Sequence, residues 1–299
     1  MKYITVKDAA DMWKMSERMV RKYCEQDRVD GAIHAGNVWV IPAKAKRPSE
    51  MKDGEIPLTA FAKRVVYQRS KNNHYGIYEY IQVNLTYSSN RMASNRLTRN
   101  EVEEVYRTNK ITTSFEPVKI DDLIETINHF SAIRYIIDTI LTPLSRTYIR
   151  KLHEVLTYGT YAERKEKLFS GEFRTEADKF GVPASEIDSA LTKLIDEYEK
   201  NPVNMDRIVD FHAEFEIIHP FSDYNGRVGR LIIIKECLRH GIDPFIIDDK
   251  HRGAYNRGIC NWTSDRSQLT KVALDAQKRF QGKMALCNLF QYARYPSIE

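Results

Sequence analysis

The feature that most restricts the fold of this 299-residue chain is the recurrence of apolar residues at spacings of three and four over most of its length. In "DDLIETINHFSAIRYIIDTI" (121–140), Leu123, Ile127, Phe130, Ile133, Ile136, Ile137 and Ile140 fall along one stripe of an α-helix. "SRTYIRKLHEVLTYG" (145–159) opens on a serine cap and closes on Gly159, and "SEIDSALTKLIDEYEK" and "DRIVDFHAEFEIIHP" are again amphipathic. A mainly α domain over 58–299 follows. One segment departs from it. In "KLFSGEFRTEADKFGVP" (167–183), Gly171, Gly181 and Pro183 break helices while Phe169, Phe173 and Thr175 suit short strands, which predicts a surface β-hairpin or flap.

Hydrophobic residues make up 42% and charged residues 29%, the balance of a soluble globular protein. No apolar run approaches the roughly 18–20 residues of a membrane span, so no membrane partner is expected. "MKYITVKDAA" lacks the apolar core of a secretion signal, and a cytoplasmic location is expected. Cys24, Cys237, Cys260 and Cys287 are far apart and form no CxxC pair, which points to reduced thiols rather than disulfides or zinc.

Residues 1–46 read as a separate module. Thr5 can cap a helix carrying Val6, Ala9, Ala10 and Trp13, and Ser16 can cap a second, "ERMVRKYCEQ". "GAIHAGNVWVIP" reads as two strands around a turn at Gly36–Asn37. Helix, turn, helix and hairpin make a winged helix-turn-helix plan. The text "DAA..W..S.R.V...C" with "W.IP" (Trp39, Ile41, Pro42) resembles the MerR/excisionase type of DNA-binding domain. That resemblance implies that Ser16, Arg18, Arg21 and Lys22 approach DNA and that Asn37 touches its backbone. Ten Lys/Arg against seven Asp/Glu in residues 1–50 is a mild electrostatic footprint, and a protein-docking helix pair is the other reading. Residues 47–57, within a stretch rich in Lys, Pro and Gly, read as a linker.

The chemistry concentrates in "IHPFSDYNGRVGRLII" (218–233). Pro220 and the loop formers Ser222, Asp223, Asn225 and Gly226 interrupt one helix at His219, and a second begins near Gly226. Unpaired N–H groups and the positive dipole end of that second helix suit an anion. Arg227 and Arg230, three apart, share a helical face that can clamp phosphates. Asp223 is placed to hold Mg²⁺, and His219 to take a proton from a hydroxyl near neutral pH. His153 and His212 have no second ligand at metal spacing and read as packing.

"HPFSDYNGRVGR" (219–230) strongly resembles the signature of the Fic family, HxFx(D/E)GN(G/K)RxxR, with Tyr224 standing where the family has glycine. Further likeness runs over roughly Leu85 to Phe280, in "NLTYSSNRMASNRLT", "ETINHF", "GEFRT", "FHAEFEIIHPF" and "PFIIDD…AYNRGI". The resemblance implies a helical Fic fold and transfer of AMP from ATP to a Ser, Thr or Tyr hydroxyl of a protein, the chain itself included, with release of pyrophosphate. It implies His219 as general base, Asp223 as the Mg²⁺ ligand, and Asn225, Gly226 and Gly229 as an anion hole. Arg227 and Arg230 then hold the β- and γ-phosphates, Tyr255 and Asn256 contact adenine and ribose, and a flap at Glu172, Phe173, Arg174 and Thr175 aligns the target. Tyr224 is expected to leave the anion hole intact provided that its backbone avoids positive φ.

Many Fic proteins carry an inhibitory helix, (S/T)xxxE(G/N), whose Glu pairs with the second motif arginine. The matching text lies near 86–98, with Ser89 at the Ser position and Ala93 where Glu belongs. Ala93 forms no ion pair, so the expectation is a derepressed enzyme with Arg230 open to ATP. A substitute acid from Glu101, Glu103 or Glu104 is the alternative. The competing functional reading is a DNA-binding regulator whose Fic domain binds nucleotide or forms a homodimer with little turnover.

Overall fold

The computed structural model of the chain describes all residues except 1–2, 26–28, 30–31, 36–37, 46, 48–57, 72–75, 113–116, 166–167, 179–180 and 295–299, and side chains except those of 22, 25 and 287–294 as well. Two compact units divide it, Met1–Arg64 and Val65–Glu299. The expected turn at Gly36–Asn37 and almost all of the expected linker lie outside the described residues.

In the first unit, β1 (Tyr3–Thr5), α1 (Val6–Trp13), α2 (Glu17–Glu25), β2 (Ile33–Ala35) and β3 (Val38–Pro42) follow one another. Thr5 closes a capping box with Asp8 at the start of α1, and Lys14 ends that helix in the left-handed region. The strands form an antiparallel sheet of order β1-β3-β2, with Ile4 opposite Ile41 and Ile33 opposite Val40. Strand β1 is too short to show an alternating pattern in the sequence, and it exists because β3 offers it a ladder. Ala9, Trp13, Val20, Tyr23 and Ile41 form the core.

Helix α3 (Ala60–Ser70) crosses the division. The second unit continues with α4 (Ile77–Met92), α5 (Arg99–Thr108), α6 (Ile120–Asp138), α7 (Arg146–Thr157), the single turn α8 (Tyr161–Arg164), α9 (Ile187–Lys200), α10 (Met205–Ile218), α11 (Asn225–Arg239), α12 (Arg252–Cys260) and α13 (Ser267–Arg294). Helix α11 is the axis. All of it except Gly226 is buried, and it packs on α4, α6, α7 and α10. A helix with this environment must be apolar or fully partnered on every side. Leu231, Ile232, Ile233, Ile234, Cys237 and Leu238 supply the first. The charged residues near its end supply the second: Lys235 bonds Glu236 Oε1 at 2.5 Å and the Thr142 carbonyl, and Arg239 bonds Glu199 at 2.6 Å. Among the described residues no helix is long and apolar enough to cross a membrane.

The expected hairpin is not formed: among the described residues of 168–183 there is no strand. The reason is local. Arg174, 8% exposed, donates to the carbonyls of His219 (2.8 Å), Glu176 (2.9 Å) and Val182, and its own N–H bonds the Pro220 carbonyl at 2.9 Å. The segment's polar groups are therefore tied to the end of α10 instead of pairing with each other as strands do.

Candidate active site

The loop between α10 and α11 is held by contacts within the protein. His219 ends α10 in the left-handed region (φ 49°), and Pro220 cannot continue the helix. Phe221 is fully buried and stacks on the His153 ring at 3.9 Å. The Asn225 amide accepts from Phe221 N–H (2.9 Å) and donates to Phe221 C=O (2.8 Å), so its side chain clamps the loop from within. The capping bond at the start of α11 joins Val228 N–H to Tyr224 C=O at 3.0 Å. The N–H groups of Asn225, Gly226 and Arg227 consequently lack helical acceptors, and they sit at the positive end of the dipole.

Gly226 and Gly229 have packing reasons of their own. A Cβ on Gly226 would lie 2.8 Å from Arg230 Nη1, so the absent side chain lets that guanidinium lie over the first turn. A Cβ on Gly229 would meet Glu216 Oε1 at 2.7 Å and His212 Cε1 at 2.8 Å; here glycine brings α11 close to α10. Of the expected anion hole, the backbone of the first turn remains available, while the Asn225 amide and Gly229 are engaged in building the scaffold.

Both motif arginines have protein partners. Arg227, 4% exposed, pairs with Glu125 Oε1 at 3.0 Å, lies 3.6 Å from Asp223 Oδ1, and stacks 3.3 Å above the Tyr224 ring. Arg230 donates to the Ser89 hydroxyl (3.0 Å) and the Ser89 carbonyl (3.1 Å). Arg230 is therefore not open in the way its missing acid partner suggested, because a hydroxyl and a carbonyl at the end of α4 hold it. Ala93 caps α4, and neither Glu101, Glu103 nor Glu104 substitutes: the first caps α5, the second pairs with Arg99 and Arg107, and the third accepts from Thr112. The acid from another helix that reaches a motif arginine is Glu125, on α6, which pairs with Arg227.

Tyr224 adopts φ +66°, the very region that its side chain was expected to avoid. Three contacts hold it there. Its ring is 4% exposed and lies edge-on to His153 at 6.1 Å, its hydroxyl donates to Glu125 at 2.9 Å, and Arg227 covers its face. Packing outweighs the backbone preference that favours glycine.

His219 is 28% exposed in its side chain, and its Nδ1 lies 2.8 Å from Asp178 Oδ2. Asp223, the single acid of the loop, is 64% exposed in its side chain, with Oδ1 accepting from Tyr224 N–H at 2.6 Å. No group of three or more metal-ligating side chains occurs among the described residues. A cation here would rest on this single carboxylate together with phosphate oxygens, which suits Mg²⁺ and its reluctance to shed water.

Beneath the loop lies a buried polar layer. His212 bonds the Tyr255 hydroxyl at 2.8 Å. Burial pushes the Glu216 carboxyl up to about 7, partly opposed by Arg230, and lowers His212 to about 3. His153 is lowered to about 4 by burial: its Nδ1 accepts from Gly171 N–H at 3.0 Å, so Nε2 carries the proton and faces the Asp223 carbonyl at 3.3 Å. Tyr255 belongs to this layer, 5% exposed and in the core, and Asn256 is exposed on α12.

The expected flap residues separate. Arg174 is buried as described; Phe173 lies 5.4 Å from Phe221 under Arg150; Glu172 pairs with Arg150 at 2.6 Å; Thr175 is exposed. In the first unit Ser16 Oγ caps α2 through Met19 N–H at 3.3 Å, Arg18 is exposed, and Arg21 pairs with Glu17 at 2.7 Å. The Lys22 side chain and Asn37 lie outside the described residues. Sequence reasoning missed Glu125 and Asp178; His153, expected to pack, is buried against Phe221. Glu125 carried one signal, an acid inside the helical text "ETINHF"; Asp178 carried none.

Residues 143–237, which include the whole loop and the start of α11, match the Fic/DOC family model. A 67-residue stretch is 34% identical to "Probable protein adenylyltransferase aq_aa38" of Aquifex aeolicus (strain VF5), over 21% of this chain and 21% of that relative's length. Among solved structures, a Fic-domain-containing signaling protein from Bacteroides thetaiotaomicron superposes with a TM-score of 0.60 at 16% identity, covering 76% of this chain and 94% of that one. Fic-1 from C. elegans gives a TM-score of 0.59 at 19% identity, covering 76% and 74%. Identities this low carry the fold alone. Residues 143–237 thus resemble the Fic/DOC family, within a helical fold like that of these structures.

Proposed function

We propose that the chain is a protein adenylyltransferase, moving AMP from ATP to a Ser, Thr or Tyr hydroxyl of a protein, itself included. The observation that carries the reading is the meeting of three N–H groups without helical acceptors at the start of α11, two arginines within its first two turns, and the partly exposed imidazole of His219 across the loop. His219 takes the hydroxyl proton. The first turn of α11 with Arg227 and Arg230 supports the charge that develops as pyrophosphate departs. Mg²⁺, held by Asp223, would supply further neutralisation of phosphate charge. Ala93 supports a derepressed form, since it brings no carboxylate to Arg230.

The test is incubation with α-labelled ATP and Mg²⁺, followed by mass spectrometry for an AMP adduct. Label on the wild-type chain or a partner, lost in His219→Ala, is the expected result; equal labelling of both overturns the assignment.

A second reading has its own support. With Arg227 closed by Glu125 and Arg230 by Ser89, the domain can bind nucleotide with little turnover while residues 1–46 contact DNA through Arg18 and its neighbours. Nucleotide binding without label transfer, together with DNA binding that weakens as salt rises, is its signature.

A further inference from the structure

The segment between α8 and α9 brings an acid to the proposed base. Asp178 approaches His219 to 2.8 Å, oxygen to Nδ1, with 17% of the Asp178 side chain and 28% of the His219 side chain exposed. A carboxylate is an acceptor only, so Nδ1 must carry the hydrogen in this contact. The other ring nitrogen, Nε2, then holds the lone pair. In water a neutral imidazole prefers the opposite arrangement, with its proton on Nε2.

The rest of the surroundings leaves this contact in charge of the ring. The His219 backbone is fixed by its N–H to Phe215 C=O at 3.1 Å and by Arg174 Nε on its own carbonyl at 2.8 Å. Those bonds place the Cα and Cβ and say nothing about which nitrogen is protonated. Arg174 also ties the carbonyls of Glu176 and Val182, on either side of Asp178, so one buried guanidinium holds both the base and the strand of chain that bears its acid partner.

We propose that Asp178 is the positioning residue for His219: it selects the tautomer in which Nε2 is the proton acceptor and steadies the imidazolium formed during transfer. The inference deepens the adenylyltransferase reading and rests on it for the chemical step. In that step the target hydroxyl oxygen bonds to the α-phosphorus, its proton passes to His219 Nε2, and the bond from the α-phosphorus to the bridging oxygen breaks with pyrophosphate leaving. The charge on the ring faces Asp178 through Nδ1–H and is discharged when Nε2 returns its proton to solvent.

The test uses the full chain labelled with ¹⁵N at histidine, with His219 resonances assigned by their loss in His219→Ala. In the wild type at a pH where the ring is neutral, Nδ1 shows the protonated shift and Nε2 the unprotonated one. In Asp178→Ala the pattern moves toward the Nε2–H form, and in Asp178→Glu it reverts in part. Kinetically, Asp178→Ala loses roughly 10²-fold in kcat, at the low end of what a general base contributes, with KM for ATP unchanged, and Asp178→Glu recovers part of the loss. An Nε2-protonated ring in the wild type, a tautomer indifferent to Asp178→Ala, or a loss confined to KM for ATP overturns the proposal. If the wild type transfers no label, the adenylyltransferase reading fails while the ¹⁵N pattern alone still decides whether Asp178 sets the tautomer.

Discussion

Replacing Tyr224 by glycine is the sharpest probe of how this loop is held. At φ +66° a residue with a Cβ costs about 1–2 kcal/mol that glycine does not. By that count alone, Tyr224→Gly stabilises the chain. Against it stands the side chain: a ring 4% exposed, with a hydroxyl on Glu125 and a guanidinium stacked on its face. Removing a buried aromatic costs about 3–5 kcal/mol. The net expectation is a loss of about 1–4 kcal/mol, read as a lower midpoint in guanidinium unfolding at unchanged slope. Tyr224→Phe retains the ring and deletes only the bond to a carboxylate, for a loss of about 1.5–3 kcal/mol. A glycine variant as stable as the wild type, or more so, would refute the argument that packing sets this backbone.

Three further outcomes follow from the same geometry. Glu216, pushed up to about 7 from an ordinary 4.5, keeps its proton in the folded state over a range where the unfolded chain has lost it, so its contribution to stability falls as pH rises from about 4.5 to about 7 and then levels. At ~1.4 kcal/mol per pH unit, Glu216→Gln should gain on the wild type by on the order of 3 kcal/mol between pH 4.5 and pH 8, measured by denaturant melts across that range; a constant difference would contradict the burial argument. Ala93→Glu should cut label transfer at least about tenfold, a coupling of ~1.4 kcal/mol, by adding a carboxylate at the end of α4 where Ser89 already holds Arg230. Undiminished labelling would remove the inhibitory role of that helix. Lys235→Met should destabilise by about 2 kcal/mol, less than the 3–5 kcal/mol of an abandoned buried charge, because Glu236 retains Arg239 at 3.3 Å and His240 at 3.2 Å; a variant that does not fold would mean Lys235 is the indispensable partner.

Much of this molecule is written in local patterns. Apolar spacing over 121–140 is a helix because its stripe is regular, and the caps at Thr5 and Ser145 form as their residue types require. The site at 219–230 is legible for the same reason: its residues are close in sequence, and the break at Pro220 followed by Asn225 and Gly226 fixes where a new helix can start. The hairpin does not form because the signals for a strand, Phe173 and Thr175, are local, whereas the chain's partners there are the carbonyls at the end of α10, brought near by folding.

Sequence alone determined that the second unit is helical, where α11 begins, and which imidazole and arginines share its mouth. Tertiary structure alone decided what each of them touches. Glu125 reaches Arg227 across 102 positions of chain, Asp178 reaches His219 across 41, and Ser89 reaches Arg230 across 141. No local rule encodes such pairs, because a charge finds its partner through the packing of separate helices. For the same reason Tyr224 can occupy a conformation suited to glycine: the burial that stabilises it comes from helices distant in sequence.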